Sequence, residues 1–256
     1  MFDPYILQQL AIGLSLGMIY ALMAIGFTLI FGVLNVVNFA HGEVYTIGAF
    51  AGLMAISAFG PPLLVVLFIA LAAGALAGFG LERFAFRPFR RFSDEASLKS
   101  RAMREATLMS SLAMSIIARE AMEMIFGSQF QSVDLAYLIN KPINIGPITI
   151  VNGDLIIFGV TLLMLGGLQW LLKKSPIGLS IRAVSNNALG AKYCGINTDR
   201  TIVITFLIGS GMGALAGILV GLYYGAIFPA MGFAPGIKAF VAMVMGGLSS
   251  IPGAVI

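Results

Sequence analysis

The chain has 256 residues, of which 59% are hydrophobic and only 10% are charged, and its formal net charge is +4. Soluble domains carry about 25% charged residues, so this composition excludes an ordinary water-soluble fold and predicts an all-α membrane-spanning bundle. The apolar runs are continuous and do not alternate, which argues against a β-barrel. Basic residues begin only at Arg83 and cluster in two connections, which indicates membrane topology and no nucleic-acid partner.

Seven apolar stretches approach the length of about 20 residues that a membrane-spanning helix needs. They cover residues 6–33, 39–58, 62–86, 107–126, 153–172, 201–227 and 237–256. No basic segment precedes the first stretch, so we expect a retained span and no cleaved signal peptide. The last stretch reaches Ile256 without a polar tail, and we expect it to be an incomplete span. We predict one transmembrane domain over residues 1–256.

The connections between these stretches differ in positive charge. Those at about 87–105 and 173–200 are basic, whereas the one at about 127–152 holds only Lys141 and the one around 228–236 holds no basic residue. The positive-inside rule places the first two in the cytoplasm and the other two outside. Two short β-rich runs within 142–150 predict a hairpin in the external connection.

A polar cluster separates the first and second stretches and consists of Asn35, Asn38, His41 and Glu43. Ionisable groups at membrane depth are costly and often functional, so one interpretation is a broken helix that lines a pathway. The alternative is a short loop whose polar groups cap two helix ends, with Asn38 as a cap and Glu43 in a favourable first turn.

The fourth stretch contains Arg119, Glu120 and Glu123. Arg119 and Glu123 are four residues apart, so we predict that they share a helix face and pair, while Glu120 points elsewhere. Either the outer end of this helix is solvated and the charged side chains extend to the membrane–water interface, or the charges take part in solute passage.

Glycines recur at every fourth position of the sixth stretch: Gly209, Gly213, Gly217, Gly221 and Gly225. This spacing keeps them near one helix face and predicts a groove for close helix packing. The same spacing occurs in three pairs, Gly13/Gly17, Gly48/Gly52 and Gly74/Gly78.

Motifs for catalysis and nucleotide binding are absent from the sequence. It has no G-x-x-x-x-G-K-[ST] loop and no G-x-S-x-G serine. With 1 His and 1 Cys it cannot form a Cys/His cluster with metal-ligand spacing. We therefore expect a protein that is not an enzyme and that uses neither a metal nor a cofactor.

The basic connection at 173–200 predicts a short cytoplasmic helix over residues 186–194. Pro176 and Gly178 are expected to end the preceding helix, and Gly195 is expected to close the short one. Three small residues leave one face of this helix shallow, which suits docking into a groove of a partner: Ala188, Gly190 and Ala191.

This segment resembles the cytoplasmic coupling segment of ABC-importer permeases, in which a small-residue pair is followed four residues later by Gly. Ala191 and Gly195 match that spacing, whereas Leu189 stands where many such motifs carry Glu. The resemblance is closer still, over nearly the whole chain, to LivH-type permeases of branched-chain amino acid importers. The matching segments are 37–43 (VNFAHGE), 182–183 (RA), 195–200 (GINTDR) and 246–254 (GGLSSIPGA).

The resemblance implies a non-catalytic permease subunit of a bacterial ABC importer in the inner membrane. It implies three kinds of protein partner: a second, LivM-like permease, two ATP-binding subunits and a periplasmic substrate-binding protein, with membrane lipid around the spans. Branched-chain amino acids are the expected substrates. Urea or short-chain amides, and a secondary transporter, are the alternatives. The residues expected to couple to the ATPases are Arg182, Asn186, Asn187, Ala188, Ala191, Gly195, Asp199 and Arg200.

Two segments share the pattern Phe-Ala-x-Gly, at residues 39–42 and 233–236. Five predicted spans separate them, so we expect them on opposite sides of the membrane, as in a fold built from two halves of inverted topology. In that arrangement both segments flank a central path, with Asn38, His41 and Glu43 on one side and Pro235 and Lys238 on the other.

Overall fold

The computed structural model describes residues 4–91, 101–133, 142–145, 148–248 and 253. Helices make up most of this part of the chain, and the predicted all-α fold is confirmed. In chain order they are α1 (Pro4–Leu34), α2 (His41–Phe59), α3 (Leu63–Leu81), α4 (Arg87–Arg91), α5 (Arg101–Phe126), α6 (Asn152–Lys174), α7 (Pro176–Asn186), α8 (Ala188–Tyr193), α9 (Thr198–Tyr224) and α10 (Phe233–Gly246). A π-helical turn, Glu82–Phe86, joins α3 to α4.

Among the described residues, five helices are long and apolar enough to cross a membrane, and they correspond to five of the seven predicted spans. They are Tyr5–Leu34, His41–Phe59, Leu63–Phe89, Asn152–Lys174 and Thr198–Tyr224. The predicted span at 107–126 lies within α5, which has 26 residues but is more charged than the other five. The last predicted span, at 237–256, overlaps α10, a shorter apolar helix of 14 residues that ends at Gly246. The C-terminal part of that predicted span lies mostly outside the described residues. The chain is a multi-pass membrane protein.

The centre of the bundle is α9, whose residues are buried along most of its length and which packs against α1, α2 and α3. Small residues allow this close packing. A Cβ added to Gly48 or Gly74 would overlap Ala214, and one added to Gly78 would overlap Ser210. The helices therefore approach to backbone distance, as membrane helices with small interfacial residues do.

Four of the five glycines that recur along α9 each face a different neighbouring group. Gly209 faces Gly26 of α1, Gly213 faces the His41 ring, Gly217 faces the main chain of Tyr45, and Gly221 faces Ile227. Gly225 ends the helix with a φ of 69°. By contrast, a Cβ on Gly13 or Gly17 would have nothing within 4 Å among the described residues. The expectation that this pair repeats the packing device therefore finds no contact within the described part of the chain and stays a prediction.

These contacts also fix the direction of α1 and α2 relative to α9. His41 lies beside Gly213 and Tyr45 beside Gly217, so α2 runs parallel to α9. The Ser185 hydroxyl of α7 donates a hydrogen bond to the Gly32 carbonyl, so the end of α1 lies near the start of α9 and α1 runs antiparallel to it. Since Gly213 is about 22 Å along α9, α2 begins near half the depth of the bundle.

The start of α10 lies against the start of α2. A Cβ on Gly42 would come 2.8 Å from the Gly232 carbonyl oxygen, and Gly236 faces the Cα of Gly42. Further along α10, the Phe240 ring lies 6.5 Å from that of Phe27, so α10 follows α1 and runs opposite to α2. The expectation that the two Phe-Ala-x-Gly segments lie on opposite sides is wrong, because they are in contact. Whether they form an inverted repeat stays a prediction.

Two antiparallel strand pairs complete the described structure. Strands β2 (Pro142–Ile145) and β3 (Ile148–Val151) form the predicted hairpin. Strands β1 (Gln131–Ser132) and β4 (Ala226–Ile227) pair as well, and tie the connection after α5 to the end of α9. The sequence did not predict the second pair, because its partners are far apart in the chain and only two residues long.

Candidate functional site

A pocket of about 70 Å³ lies where the first turns of α2 and α10 meet α1 and α5. Most of its wall is apolar, and glycines bring the two helix starts together at its base. The apolar lining residues are Phe27, Phe39, Leu112, Phe233, Ile237 and Phe240, and the glycines are Gly42, Gly232 and Gly236. The polar side chains in the wall are those of Glu43 and Ser115.

Glu43 lies in the first turn of α2 and is only 3% exposed. Its Oε1 accepts a hydrogen bond from the Ser115 hydroxyl of α5 at 3.2 Å. Its Oε2 is buried and has no hydrogen-bond partner among the described residues. The wall of the pocket therefore contains a buried carboxylate with one unpaired oxygen.

One turn before Ser115, α5 also contacts the segment that leads into α2. The Ser111 hydroxyl accepts a hydrogen bond from the Phe39 amide at 3.4 Å and lies 3.4 Å from the Val37 carbonyl. Two serines on one face of α5 thus position both the entry to α2 and its first acidic residue.

The structure places the four residues of the predicted polar cluster at different distances from the pocket. Glu43 lines it, whereas Asn38 and His41 are buried beside it. The His41 ring packs between Gly26 and Gly213. Asn35 is exposed at the end of α1, with a φ of 57°.

Capping does not explain Asn38. The N-cap position of α2 is Ala40 and no side chain caps the helix. Both polar atoms of the Asn38 side chain are buried without a hydrogen-bond partner among the described residues. The capping interpretation is therefore wrong for Asn38, while Glu43 does occupy the first turn as expected. Buried unpaired amide groups are unfavourable in a structural role alone.

Arg119 and Glu123 form the predicted i,i+4 pair. Their Nε and Oε1 atoms are 3.3 Å apart, and the side chains are 44% and 31% exposed. Glu120 is also exposed. These charges lie one turn and more beyond Ser115, in the second half of α5, and do not line the pocket.

Sequence reasoning missed Ser111, Ser115 and the aromatic wall. A usable signal was present, because Ser111, Ser115, Arg119 and Glu123 recur at every fourth residue of α5 and form a polar stripe on one helix face. The aromatic residues carried no such signal, since phenylalanines occur throughout the apolar spans.

At the end of the bundle near the start of α9, the chain forms the two short helices α7 and α8. Pro176 does not merely follow the end of α6, as expected, because it is the first residue of α7. The Ser175 hydroxyl caps this helix by accepting a hydrogen bond from the Gly178 amide at 3.0 Å. Proline is compatible with the first helical position, where its missing N–H is not needed.

The predicted short helix corresponds to α8, although it begins later than expected. Asn186 is the last residue of α7, and Asn187 caps α8 by accepting a hydrogen bond from the Gly190 amide at 3.0 Å. Gly195 ends the segment with a φ of 82°, which favours glycine. Asn197 then caps α9 through the Arg200 amide at 3.0 Å.

Most of the residues expected to couple to ATPases are exposed on this surface. They are Arg182, Asn186, Asn187, Ala188, Gly195, Asp199 and Arg200. Ala191 is buried and only 5% exposed, so it packs inward and is not part of the accessible face. The surface is connected to α1 by the hydrogen bond from Ser185 to Gly32.

Comparison with known proteins gives a consistent result. Residues 9–256 match the family described as branched-chain amino acid transport system / permease component. The chain is 37% identical, over 98% of its length and 82% of the relative, to the high-affinity branched-chain amino acid transport system permease protein LivH of Salmonella typhimurium. It is 34% identical, with the same coverage, to BraD of Pseudomonas aeruginosa, described in the same words. A probable LivH of Methanocaldococcus jannaschii is 30% identical over 92% of this chain and 72% of the relative. No solved structure matches the chain.

Proposed function

This chain belongs to the family of permease components of branched-chain amino acid transport systems, and from that premise we propose that it is a membrane-spanning permease subunit of a bacterial ABC importer. It forms part of the translocation path for branched-chain amino acids and is coupled to separate ATPase subunits. The resemblance to LivH-type permeases that the sequence indicated is confirmed by the family match. The observation that carries the proposal is the pocket at the adjoining starts of α2 and α10.

Three features of this pocket support a role in translocation. It lies at the start of α2, near half the depth of the bundle, which is where a translocation path would place a solute between the two membrane faces. Its wall is mainly aromatic and aliphatic, which suits a branched aliphatic side chain. Polar groups that a structural core would not leave unpaired, Asn38 and Glu43, lie in or beside it.

Coupling to ATPases is assigned to the surface formed by α7, α8 and the start of α9. Its exposed residues include Asn187, Ala188 and Gly195, and α8 is held at a fixed angle by the Asn187 cap. Closure of the ATPases pushes on residues 186–195. The Ser185–Gly32 hydrogen bond passes the displacement to the end of α1, and residues 35–40 connect that end to the pocket.

The assembly we propose contains a LivM-like second permease, two ATP-binding subunits and a periplasmic substrate-binding protein, in the bacterial inner membrane. Residues 1–256 act as one transmembrane domain, with 87–105 and 173–200 in the cytoplasm and 127–152 outside. The permease itself is not catalytic, since ATP is hydrolysed by the partner subunits. The multi-pass fold and the family match support this arrangement.

Reconstitution tests the proposal. Proteoliposomes that contain this protein with its second permease and ATPases, and the binding protein added outside, should take up radiolabelled leucine, isoleucine or valine when ATP is enclosed. Omission of ATP or of the binding protein should abolish uptake. Uptake that needs no ATP and collapses with an ionophore would instead show a secondary transporter, and uptake of urea alone would change the substrate class.

A further inference from the structure

We propose that the pocket between α2 and α10 binds the substrate directly as a zwitterionic α-amino acid, with the ammonium group on Glu43 and Ser115 and the carboxylate at the first turn of α10. This inference rests on the proposed import function and deepens it, because it assigns part of the substrate recognition to the permease itself. The binding protein is then not the sole source of selectivity.

The ammonium position follows from Glu43. Its side chain is 3% exposed, it lines the pocket, and one of its carboxylate oxygens has no hydrogen-bond partner among the described residues. The other oxygen accepts from Ser115 at 3.2 Å. A buried carboxylate with one unpaired oxygen in an apolar wall favours a primary ammonium, which donates up to three hydrogen bonds, and the side chain must turn slightly to present that oxygen.

Glu43 has no competing cation within ion-pair distance in the described part of the chain. The nearest basic residue on α5 is Arg119, one turn beyond Ser115, and its Nε is 3.3 Å from Glu123. Arg119 is also 44% exposed, so solvent and Glu123 compensate its charge. Arg119 therefore acts on Glu43 only through longer-range attraction, and the direct ion-pair position at Glu43 is open to a substrate ammonium.

The carboxylate position follows from the difference between the two helix starts. The positive end of α2 already has an acidic residue in its first turn, Glu43, whereas α10 has none. The first turn of α10 lines the pocket through Phe233 and Gly236. Helix N-termini offer free N–H groups and a favourable dipole to an anion. Within this turn the Phe233 and Gly236 amides already donate to the Ala230 and Gly232 carbonyls, and Pro235 has no N–H. Among the described residues, the Ala234 amide and the helix dipole are therefore what this turn offers to the carboxylate.

The aliphatic side chain then contacts the aromatic wall. Phe27, Phe39 and Phe240 form one side of the pocket, with Leu112 of α5 among the other apolar residues. Urea and short-chain amides carry neither an ammonium nor a carboxylate, so they would leave Glu43 without a direct ion-pair partner. The charges of the pocket favour an amino acid over these neutral compounds.

The test uses protection of a cysteine in the pocket wall. Leu112 lines the pocket and is 43% exposed, and Cys194 is the single native cysteine, so Leu112→Cys in a Cys194→Ala background gives one reactive site. The permease and ATPase subunits are assembled in nanodiscs without the binding protein. Alkylation at position 112 by a small maleimide is followed with millimolar leucine, leucinamide, 4-methylpentanoate or acetamide.

Leucine should slow alkylation, while leucinamide, which lacks the carboxylate, 4-methylpentanoate, which lacks the ammonium, and acetamide should not. Glu43→Gln should raise the leucine concentration needed for half protection by about tenfold or more, and Ser115→Ala by less. Glu120→Gln, an exposed carboxylate of α5 outside the pocket, is the matched control and should behave as the parent.

Equal protection by all four compounds, or unchanged protection in Glu43→Gln, would overturn the inference. If Glu43→Gln does not assemble, the compound series on the parent protein still decides. The proposed function is checked separately by ATP-driven leucine uptake in the complete importer. If the complete importer takes up leucine but leucine does not slow alkylation at position 112, only the inference of amino acid binding in the pocket is refuted. If the complete importer built from the parent protein takes up no leucine, the import function is refuted as well.

Discussion

Gly42 and Gly232 lie in direct contact, at the starts of two helices that run in opposite directions. A Cβ on Gly42 would come 2.8 Å from the Gly232 carbonyl oxygen, and a Cβ on Gly232 would overlap the Gly42 carbonyl. The contact closes the base of the pocket and brings the positive ends of α2 and α10 together. It depends on two glycines that are 190 residues apart in the chain.

Gly42→Ala should therefore destabilise the protein by about 1–3 kcal/mol, because the added methyl group forces the two helix starts apart. Thermal unfolding of the detergent-solubilised protein measures the change. Gly80→Ala on α3 is the control, since its Cβ would meet nothing within 4 Å and alanine is the better helix former. An equal effect of both substitutions would contradict the importance of the Gly42 contact.

Ser185→Ala should weaken coupling between ATP hydrolysis and transport. The substitution removes the hydrogen bond to the Gly32 carbonyl, worth about 1 kcal/mol, and with it a direct link between α7 and α1. The ratio of leucine taken up to ATP hydrolysed should fall by about fivefold. Ser180→Ala is the control, because that hydroxyl bonds only within α7, to the Pro176 carbonyl at 3.0 Å. An unchanged ratio in Ser185→Ala would exclude this route.

Gly195→Trp should abolish most leucine uptake while the protein still inserts into the membrane. Gly195 is exposed, a Cβ there would point into open space, and a large side chain would obstruct the docking surface for an ATPase. The positive φ adds strain for any residue but glycine, so Gly195→Asn serves as the control, since asparagine tolerates this conformation. Normal uptake and ATPase stimulation in Gly195→Trp would refute the coupling assignment.

Topology is testable through the single cysteine. Cys194 is exposed beside α8, and we expect it in the cytoplasm. A membrane-impermeant maleimide should label it in inside-out vesicles and not in intact spheroplasts. Ser128→Cys in a Cys194→Ala background should show the reverse pattern, because Ser128 lies in the connection after α5 that we expect outside. Labelling of Cys194 from the outside would reverse the proposed orientation.

Asn38→Leu distinguishes a structural from a functional role of a buried amide. Both polar atoms of Asn38 lack partners among the described residues, so a similar-sized apolar side chain should leave stability unchanged or increase it. If Asn38 serves the translocation path, uptake should nevertheless fall. Thermal unfolding measures the stability of the variant, and leucine uptake by the same preparation measures its transport activity. A loss of stability together with a loss of uptake would assign Asn38 a structural role.

Local sequence signals were sufficient for several features. Length and apolarity identified five of the seven predicted spans, because a membrane helix satisfies its backbone within itself and needs only an apolar surface. The Arg119–Glu123 pair depends on i,i+4 spacing alone, and the β2–β3 hairpin on a short turn between β-rich runs. The termination of α8 just before Gly195 follows from the preference of glycine for positive φ. The start of α7 at Pro176 was missed because the same proline can follow one helix and begin another.

The sequence by itself thus determined that this protein crosses the membrane repeatedly, which family it resembles, and where its polar cluster and the short helix α8 lie in the chain. Only the tertiary structure decided that α2 begins inside the bundle against α10, that Ser115 bonds Glu43, and that Ser185 reaches Gly32. These contacts join residues 72 to 190 positions apart, and they arise from how closely the helices pack. The periodicity of residues within one helix does not specify which other helix it packs against, or at what depth in the membrane the two are in contact.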